Sequence, residues 1–188
     1  MTQVLVLTAL QSELQAERAP DGVAVRYCGV GKINTAIATT LALNELKPRL
    51  VVNYGTCGKI SDGLTGLLEV AHVVQRDMMA MPLAPRGVTP LMSDEAVLAS
   101  GFGGVICGTG DSFVTAADPW LIENKVDVVD MELFAVAHAC ARFGVPWRAF
   151  KFITDDANDV AHEHWTANVA NGEDLFWDLL RSEILKAG

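Results

Sequence analysis

Residues 126–154 have the sequence VDVVDMELFAVAHACARFGVPWRAFKFIT, and this stretch decides the fold class. An apolar strand candidate at 126–129 is followed by the strongest helix signal of the chain, at 131–143, which Gly144 ends. A second apolar strand candidate follows at 147–154. A strand, a helix and another strand in succession are typical of a parallel sheet that is covered by helices.

The same alternation continues toward the amino terminus. Strand candidates at 4–7 and 50–54 lie on either side of a segment with helical spacing, Lys32–Leu46. The glycines at 55 and 58 predict a turn directly after the second of these strands.

Toward the carboxyl terminus, Leu67–Gln75 and 105–107 are further strand candidates, and 172–186 is an amphipathic helix. The segment 78–104 contains three prolines, which predicts a loop over the edge of the sheet. No repeat or linker is evident. We therefore predict one α/β domain over residues 1–188, a three-layer sandwich with a mostly parallel mixed central sheet.

The composition excludes several classes of function. With 51% apolar and 20% charged residues in 188, the chain is neither disordered nor fibrous. Its net charge of −9 disfavours nucleic acid and anionic membranes as partners. The longest apolar runs are too short to cross a bilayer. Residues 1–10 lack the positive start of a secretory signal, which predicts a cytoplasmic location.

Metal binding is not predicted. The four cysteines, at 28, 57, 107 and 140, are widely scattered and are expected to be buried, reduced thiols. His162 and His164 would give two ligands without a third.

Polar residues follow several of the predicted strands. Glu13 comes after the strand candidate at 4–7, and Thr56 after the one at 50–54. Asp111 follows the candidate at 105–107, and Asp155 the one at 147–154. In open α/β sheets, ligands bind beyond the carboxyl ends of the strands. These residues therefore mark the expected binding site.

Five short blocks occur in a fixed order. They are GVGKINTA at 29–36, NYGTCG at 53–58, GDSFV at 110–114, VDME at 129–132 and FITD at 152–155. Together they resemble the purine nucleoside phosphorylase and methylthioadenosine/S-adenosylhomocysteine nucleosidase family, over nearly the whole chain. The resemblance implies a nucleoside phosphorylase-like fold and cleavage of the N-glycosidic bond of a purine nucleoside, without a cofactor.

The resemblance also implies roles for two carboxylates. Cleavage passes through an oxocarbenium-like sugar, so the leaving purine needs a proton and the sugar carbon needs a nucleophile. Asp155 resembles the family aspartate that protonates the purine N7, and Asp156 beside it is expected to raise its pKa. Glu13 resembles the glutamate that activates the attacking water. The alternatives are that the aspartates only begin a helix or turn, and that Glu13 is a solvated carboxylate at a helix start.

Five further residues resemble substrate-binding positions of the family. Glu132 would accept hydrogen bonds from the ribose hydroxyls, and Met131 would pack under the sugar. Phe113 would stack on the purine, and the main chain of Val114 would read the edge of the base. Thr56 would approach the nucleophile's side of the sugar. Without the resemblance, Phe113 is better explained as an ordinary core residue, and Thr56 has the alternative of a plain tight turn.

The choice between water and phosphate as nucleophile rests on the absence of an arginine after the first strand, at 11–13, and at position 53. The bacterial phosphorylases that this loop resembles carry an arginine just before the glycine turn, where this chain has Asn53. An arginine fork suits a dianionic phosphate, so its absence favours hydrolysis. A phosphorylase, or a nucleoside-binding protein without catalysis, are the alternatives.

The resemblance further implies a homodimer or higher oligomer. Exposed apolar residues at 78–82, or Trp120, are the candidate interface. The segments 13–29 and 78–104 are short for the family, and both shape the region around the sugar's 5′ substituent. The identity of the nucleoside therefore stays open, with methylthioadenosine, S-adenosylhomocysteine and futalosine-like compounds all compatible.

Overall fold

The computed structural model describes residues 3–116, 118–155 and 170–186, apart from the side chain of Asp155. The strands in chain order are β1 Val4–Thr8, β2 Val23–Tyr27, β3 Leu50–Lys59, β4 Leu67–Gln75, β5 Val97–Ala99, β6 Val105–Thr109, β7 Val128–Asp130 and β8 Trp147–Asp155. The helices are α1 Lys32–Leu46, α2 Pro119–Glu123, α3 Leu133–Phe143 and α4 Glu173–Leu179, and α4 continues into one π-helical turn, Leu180–Ile184. Within these ranges, no helix is long and apolar enough to cross a membrane.

The strands form one mixed sheet in the order β2-β1-β3-β7-β6-β4-β5, with β8 paired to both β3 and β4. In the described part of the chain, five strand pairs are parallel and three, β3–β7, β4–β5 and β4–β8, are antiparallel. Pairing runs from β3 through β8, β4, β6 and β7 back to β3, so these five strands close on themselves. The predicted mostly parallel mixed sheet is confirmed.

Helices cover both faces of the sheet, as successive side chains of β1 show. Leu5 and Leu7 pack into a cluster that contains residues of α1 and α3. Val4 and Val6 point to the opposite face and pack into a second cluster with Phe176 and other residues of α4. Because side chains alternate along a strand, one apolar run fills two cores. The three-layer arrangement is therefore confirmed.

One predicted turn is wrong. Residues 55–58 continue β3, which runs to Lys59 and pairs in parallel with β8 from Val51↔Trp147 to Cys57↔Ile153. The glycine at 55 does not turn the chain; it leaves space. A Cβ there would lie 3.3 Å from Lys151 Nζ and 3.4 Å from Glu13 Oε1. The glycine thus lets two ionisable side chains approach the strand closely.

The segment 78–104 is a loop for most of its length, as predicted, but it ends in a short strand. β5 pairs antiparallel with β4 at the edge of the sheet. The opposite edge strand, β2, and the short helix α2 were not predicted either.

Candidate active site

A cavity of about 280 Å³ lies at the carboxyl ends of β1, β3, β6 and β7. This is the position expected for a ligand site in a parallel sheet. Six side chains that the sequence predicts for the site line this cavity, namely Glu13, Thr56, Phe113, Val114, Met131 and Glu132. Segments up to 119 residues apart in the chain therefore meet at one place.

Asp155 is the last residue of β8, and its main chain pairs with Gly58, which lines the cavity. Its side chain lies outside the described part of the structure, as do Asp156, His162 and His164. The predicted role of Asp155 therefore stays a prediction.

Glu13 is buried at the floor of the cavity and is held by four hydrogen bonds. Its Oε1 accepts from the backbone N of Thr56 at 3.0 Å and from Thr56 Oγ1 at 2.9 Å. Its Oε2 accepts from Thr8 Oγ1 at 3.2 Å and from the backbone N of Leu10 at 3.1 Å. The alternative of a solvated carboxylate at a helix start is wrong, because Glu13 is 4% exposed.

Glu132 is the N-cap residue of α3 and is 9% exposed. Its Oε1 accepts a hydrogen bond from the backbone N of Gly31 at 2.9 Å. Burial and the nearby carboxylate of Asp130 raise the pKa of Glu132 to about 7, against the opposing effect of Lys151. A carboxylate that costs free energy to bury, at the wall of a cavity, is a feature of functional sites.

A buried ion pair lies behind these two glutamates. Lys151 Nζ is 2.7 Å from Asp130 Oδ2, and both side chains are almost fully buried. Asp130 also accepts from Thr109 Oγ1 at 2.5 Å and from the backbone N of Leu133 at 2.8 Å. Burial would lower the pKa of Lys151, but Asp130 and Glu132 outweigh it and hold this pKa above its usual range.

Burial also acts on Asp130, whose pKa it would raise. The ion pair with Lys151 outweighs this effect and holds the pKa of Asp130 below its usual value. The sequence analysis missed this pair. A lysine inside the apolar strand 147–154 was the signal that could have revealed it, because a buried lysine needs a carboxylate partner.

The other end of the cavity is formed by the loop 110–114. Phe113 is 45% exposed and Val114 is half-buried. Arg76 follows β4 directly, is 5% exposed and lines the same end of the cavity. The sequence analysis missed Arg76, since nothing in its local sequence separates it from a surface arginine.

Asp111, which was predicted to belong to the ligand site, is not among the residues that line the cavity. Its Oδ1 accepts from the backbone N of Lys32 at 2.7 Å, at the first turn of α1. Asp111 thus joins the loop 110–114 to the start of α1, beside the cavity.

The arrangement suits a small ligand with an apolar ring and several hydroxyls. Glu13 and Glu132 provide two buried carboxylates, while Val30, Leu10 and Phe113 provide apolar surface. Pockets of this kind, mostly apolar with a few convergent polar groups, are typical of small-molecule sites.

Comparisons with known proteins agree with this description. A family described as the phosphorylase superfamily matches residues 19–181. A relative from Lysinibacillus sphaericus, named 5'-methylthioadenosine/S-adenosylhomocysteine nucleosidase, is 34% identical over 159 residues, which cover 69% of this chain and 66% of the relative. The chain thus spans about two thirds of that relative's length.

Two solved structures establish the fold. A futalosine hydrolase mutant of Helicobacter pylori superposes with a TM-score of 0.88 at 19% identity, covering 99% of this chain and 100% of the other. A mutant of the methylthioadenosine nucleosidase of the same organism, with 5'-methylthioadenosine in its active site, gives a TM-score of 0.87 at 19% identity, covering 99% of each chain. With the family match extending over most of its length, the chain belongs to the phosphorylase superfamily, the family of nucleoside phosphorylases and nucleosidases that its motifs resemble.

Proposed function

We propose that this protein is a nucleosidase, which hydrolyses the N-glycosidic bond of a purine nucleoside to free base and sugar. The observation that carries the proposal is the meeting of Glu13, Glu132, Met131 and the loop 110–114 around one cavity. The names of the relatives above support the same reaction and favour a methylthioadenosine- or S-adenosylhomocysteine-like substrate.

Glu13 activates the attacking water in this proposal. Its carboxylate already accepts four hydrogen bonds, which use the acceptor positions of both oxygens. Two of the four donors are the hydroxyls of Thr8 and Thr56, which can rotate toward other acceptors. A water molecule can therefore replace a hydroxyl at Glu13 and donate its proton there as it attacks.

Glu132 accepts hydrogen bonds from the ribose hydroxyls, and Met131 packs under the sugar. As positive charge develops on the sugar, hydrogen bonds to its hydroxyls strengthen. Phe113 stacks on the purine, and the main chain of Val114 reads its edge. Asp155 protonates N7 of the leaving base; the end of β8 beside Gly58 is a suitable place for this acid.

A phosphorylase is the runner-up, and Arg76 speaks against it. It is the one arginine among the described residues that line the cavity. Its terminal nitrogens donate to Gly110 O at 2.9 Å, to Ser112 O and to Ser112 Oγ at 3.3 Å, so three of its five N–H groups bind the loop 110–114 and the bidentate fork is not presented to a phosphate. The carboxylates of Glu13 and Glu132 would also repel a dianion.

A nucleoside panel tests the reaction. Methylthioadenosine, S-adenosylhomocysteine, adenosine and inosine are incubated with the protein, with and without phosphate, and products are separated by chromatography. We expect free base and free sugar without phosphate. A sugar 1-phosphate that forms only with phosphate would establish the phosphorylase instead. Ligand binding without any product would leave a nucleoside-binding protein without catalysis.

We further propose that the protein is a homodimer whose interface includes α1. Four apolar side chains form an exposed stripe on this helix and the loop before it, namely Val30, Ile33, Ile37 and Leu41, which are 43%, 73%, 57% and 64% exposed. Another face of α1 packs through Ala42 and Leu43 into the core cluster that contains residues of α3, so the exposed apolar stripe is not needed for packing within the chain. Val30 also lines the cavity, so a partner on the stripe would cover its mouth.

The interface candidates from the sequence fare differently. Met79 and Met81 are exposed and stay candidates for the interface. Trp120 is half-buried, with the guanidinium of Arg86 4.6 Å from its ring centre, and is less suited to bind a partner.

We also propose a cytoplasmic location, which the four unpaired, buried cysteines support.

A further inference from the structure

Arg76 makes contacts that the proposed reaction does not use. The buried guanidinium binds the loop 110–114 through the carbonyls of Gly110 and Ser112 and the hydroxyl of Ser112. This loop has no regular secondary structure, so its carbonyls need other donors. The planar fork of an arginine can satisfy two acceptors in a fixed geometry.

Asp77, the next residue, binds a backbone N–H of the same loop, whereas Arg76 binds its carbonyls. Its Oδ2 accepts from the backbone N of Asp111 at 2.9 Å, and its Oδ1 pairs with Lys32 Nζ at 2.5 Å. Burial would raise the pKa of Asp77, but Lys32 and the amide of Asp111 outweigh it and hold this pKa below its usual value. Two consecutive residues thus bind three consecutive residues of the loop.

The loop fits these two side chains closely at Gly110. A Cβ on this residue would lie 2.9 Å from Arg76 Cζ and 3.0 Å from Asp77 Cγ. Contacts this short require a neighbour to move, and both neighbours are held by hydrogen bonds. The glycine therefore permits the close approach of the loop.

The same contacts lead to the sugar side of the cavity. Asp111 Oδ1 accepts from the backbone N of Lys32, and the residue before it, Gly31, donates its backbone N–H to Glu132 Oε1 at 2.9 Å. A shift of the loop 110–114 would therefore also move the donor that orients Glu132.

We propose that Arg76 and Asp77 are positioning residues that hold the loop 110–114 in the conformation that binds the purine. This inference rests on the proposed function, in which Phe113 and Val114 of the loop contact the base. The pair touches no reacting atom in this scheme. Its effect is preorganisation, because a loop that is already ordered loses less conformational freedom when the base binds.

The variants Arg76→Met and Arg76→Lys test this, with Arg142→Met as the control. Arg142 is a surface arginine that pairs with Asp94. Adenine affinity is measured by calorimetry, and KM and kcat are measured with the best nucleoside of the panel. For Arg76→Met we expect adenine affinity to fall and KM to rise, each about tenfold or more, with kcat changed less than about threefold. Arg76→Lys should lie in between, and the control should match the wild type.

A folded Arg76→Met protein with wild-type adenine affinity and KM would overturn the proposal. So would a loss confined to kcat. If Arg76→Met does not fold, Gly110→Ala tests the same contact from the loop side, with the same expected results. A wild-type protein that binds adenine but cleaves no nucleoside contradicts the proposed function, while the adenine affinities still decide the role of Arg76. A wild-type protein that binds neither adenine nor hypoxanthine contradicts both.

Discussion

The side chain of Glu13 combines two properties that a catalytic base needs, burial and a fixed orientation. Replacing it by glutamine keeps its size and an acceptor oxygen but removes the ability to take a proton from water. We expect Glu13→Gln to lower kcat by about 10²- to 10⁴-fold with little change in KM. Steady-state kinetics with Glu123→Gln, an exposed residue of α2, as the control will check this. An active Glu13→Gln protein would assign the water to another residue.

Glu132 should make stability depend on pH. Its pKa of about 7 in the folded protein lies above its usual 4.5, so the folded state binds more protons between these values. The contribution of this group to the free energy of unfolding therefore falls as pH rises from about 4.5 to 7, and the loss persists at higher pH.

The variant Glu132→Gln lacks this group. From pH 5 to pH 8, we expect the stability of the variant relative to the wild type to increase by about 2–3 kcal/mol. Urea unfolding of both proteins at both pH values, at one protein concentration, measures this difference. A constant difference would show that Glu132 has an ordinary pKa.

Residue by residue, the sequence predicted the cavity well where short motifs carry the chemistry. Met131 and Glu132 stand in the block VDME at 129–132, Glu13 was predicted from its place after the first strand, and all three line one cavity. Arg76 and Lys151 were not predicted, because their roles depend on partners 34 and 21 residues away along the chain. Such pairings follow from the arrangement of the strands, which local sequence does not contain.

At the scale of elements, the ion pair of Asp130 and Lys151 joins the end of β7 to the middle of β8. Removal of one partner leaves a buried charge without compensation. We expect Asp130→Asn to lower the free energy of unfolding by about 3–5 kcal/mol. The double variant Asp130→Asn/Lys151→Met should be more stable than Asp130→Asn alone. Urea unfolding measures both.

The pair of half-buried Asp94 and exposed Arg142 provides the control. We expect Asp94→Asn to cost less than about 1 kcal/mol, because water screens an exposed pair. Equal losses from Asp94→Asn and Asp130→Asn would contradict the importance of burial.

Long elements with a regular apolar pattern were predicted closely, and edge elements were not. The bounds of α1 and β4 agree with the sequence analysis. The strand β2 was missed because it lies at the sheet edge and has no fully buried residue. β5 has only three residues, too few for a periodic signal. The glycines at 55 and 58 suggested a turn, since sequence alone does not separate a turn glycine from one that makes space inside a strand.

For the whole molecule, the α1 stripe, formed by Val30, Ile33, Ile37 and Leu41, is the surface that we expect a second copy to cover. Monomeric proteins rarely expose a contiguous patch of this kind. We expect the wild type to have twice the chain mass of 20.2 kDa by light scattering, and Ile37→Glu to give the monomer with reduced activity. The control, Ile122→Glu, changes an isoleucine of α2 that is even more exposed, and it should leave the dimer intact. A monomeric wild type would contradict the interface.

The burial of all four cysteines has a practical consequence for following the protein at work. A maleimide dye finds no exposed thiol on the native surface, since the four side chains are at most 4% exposed. A single cysteine introduced at Ala116, an exposed position just beyond the loop 110–114, would therefore be labelled selectively without removal of any native thiol. With Trp120 four residues along the chain as a quencher, the fluorescence of that dye would report whether the loop moves when the base binds.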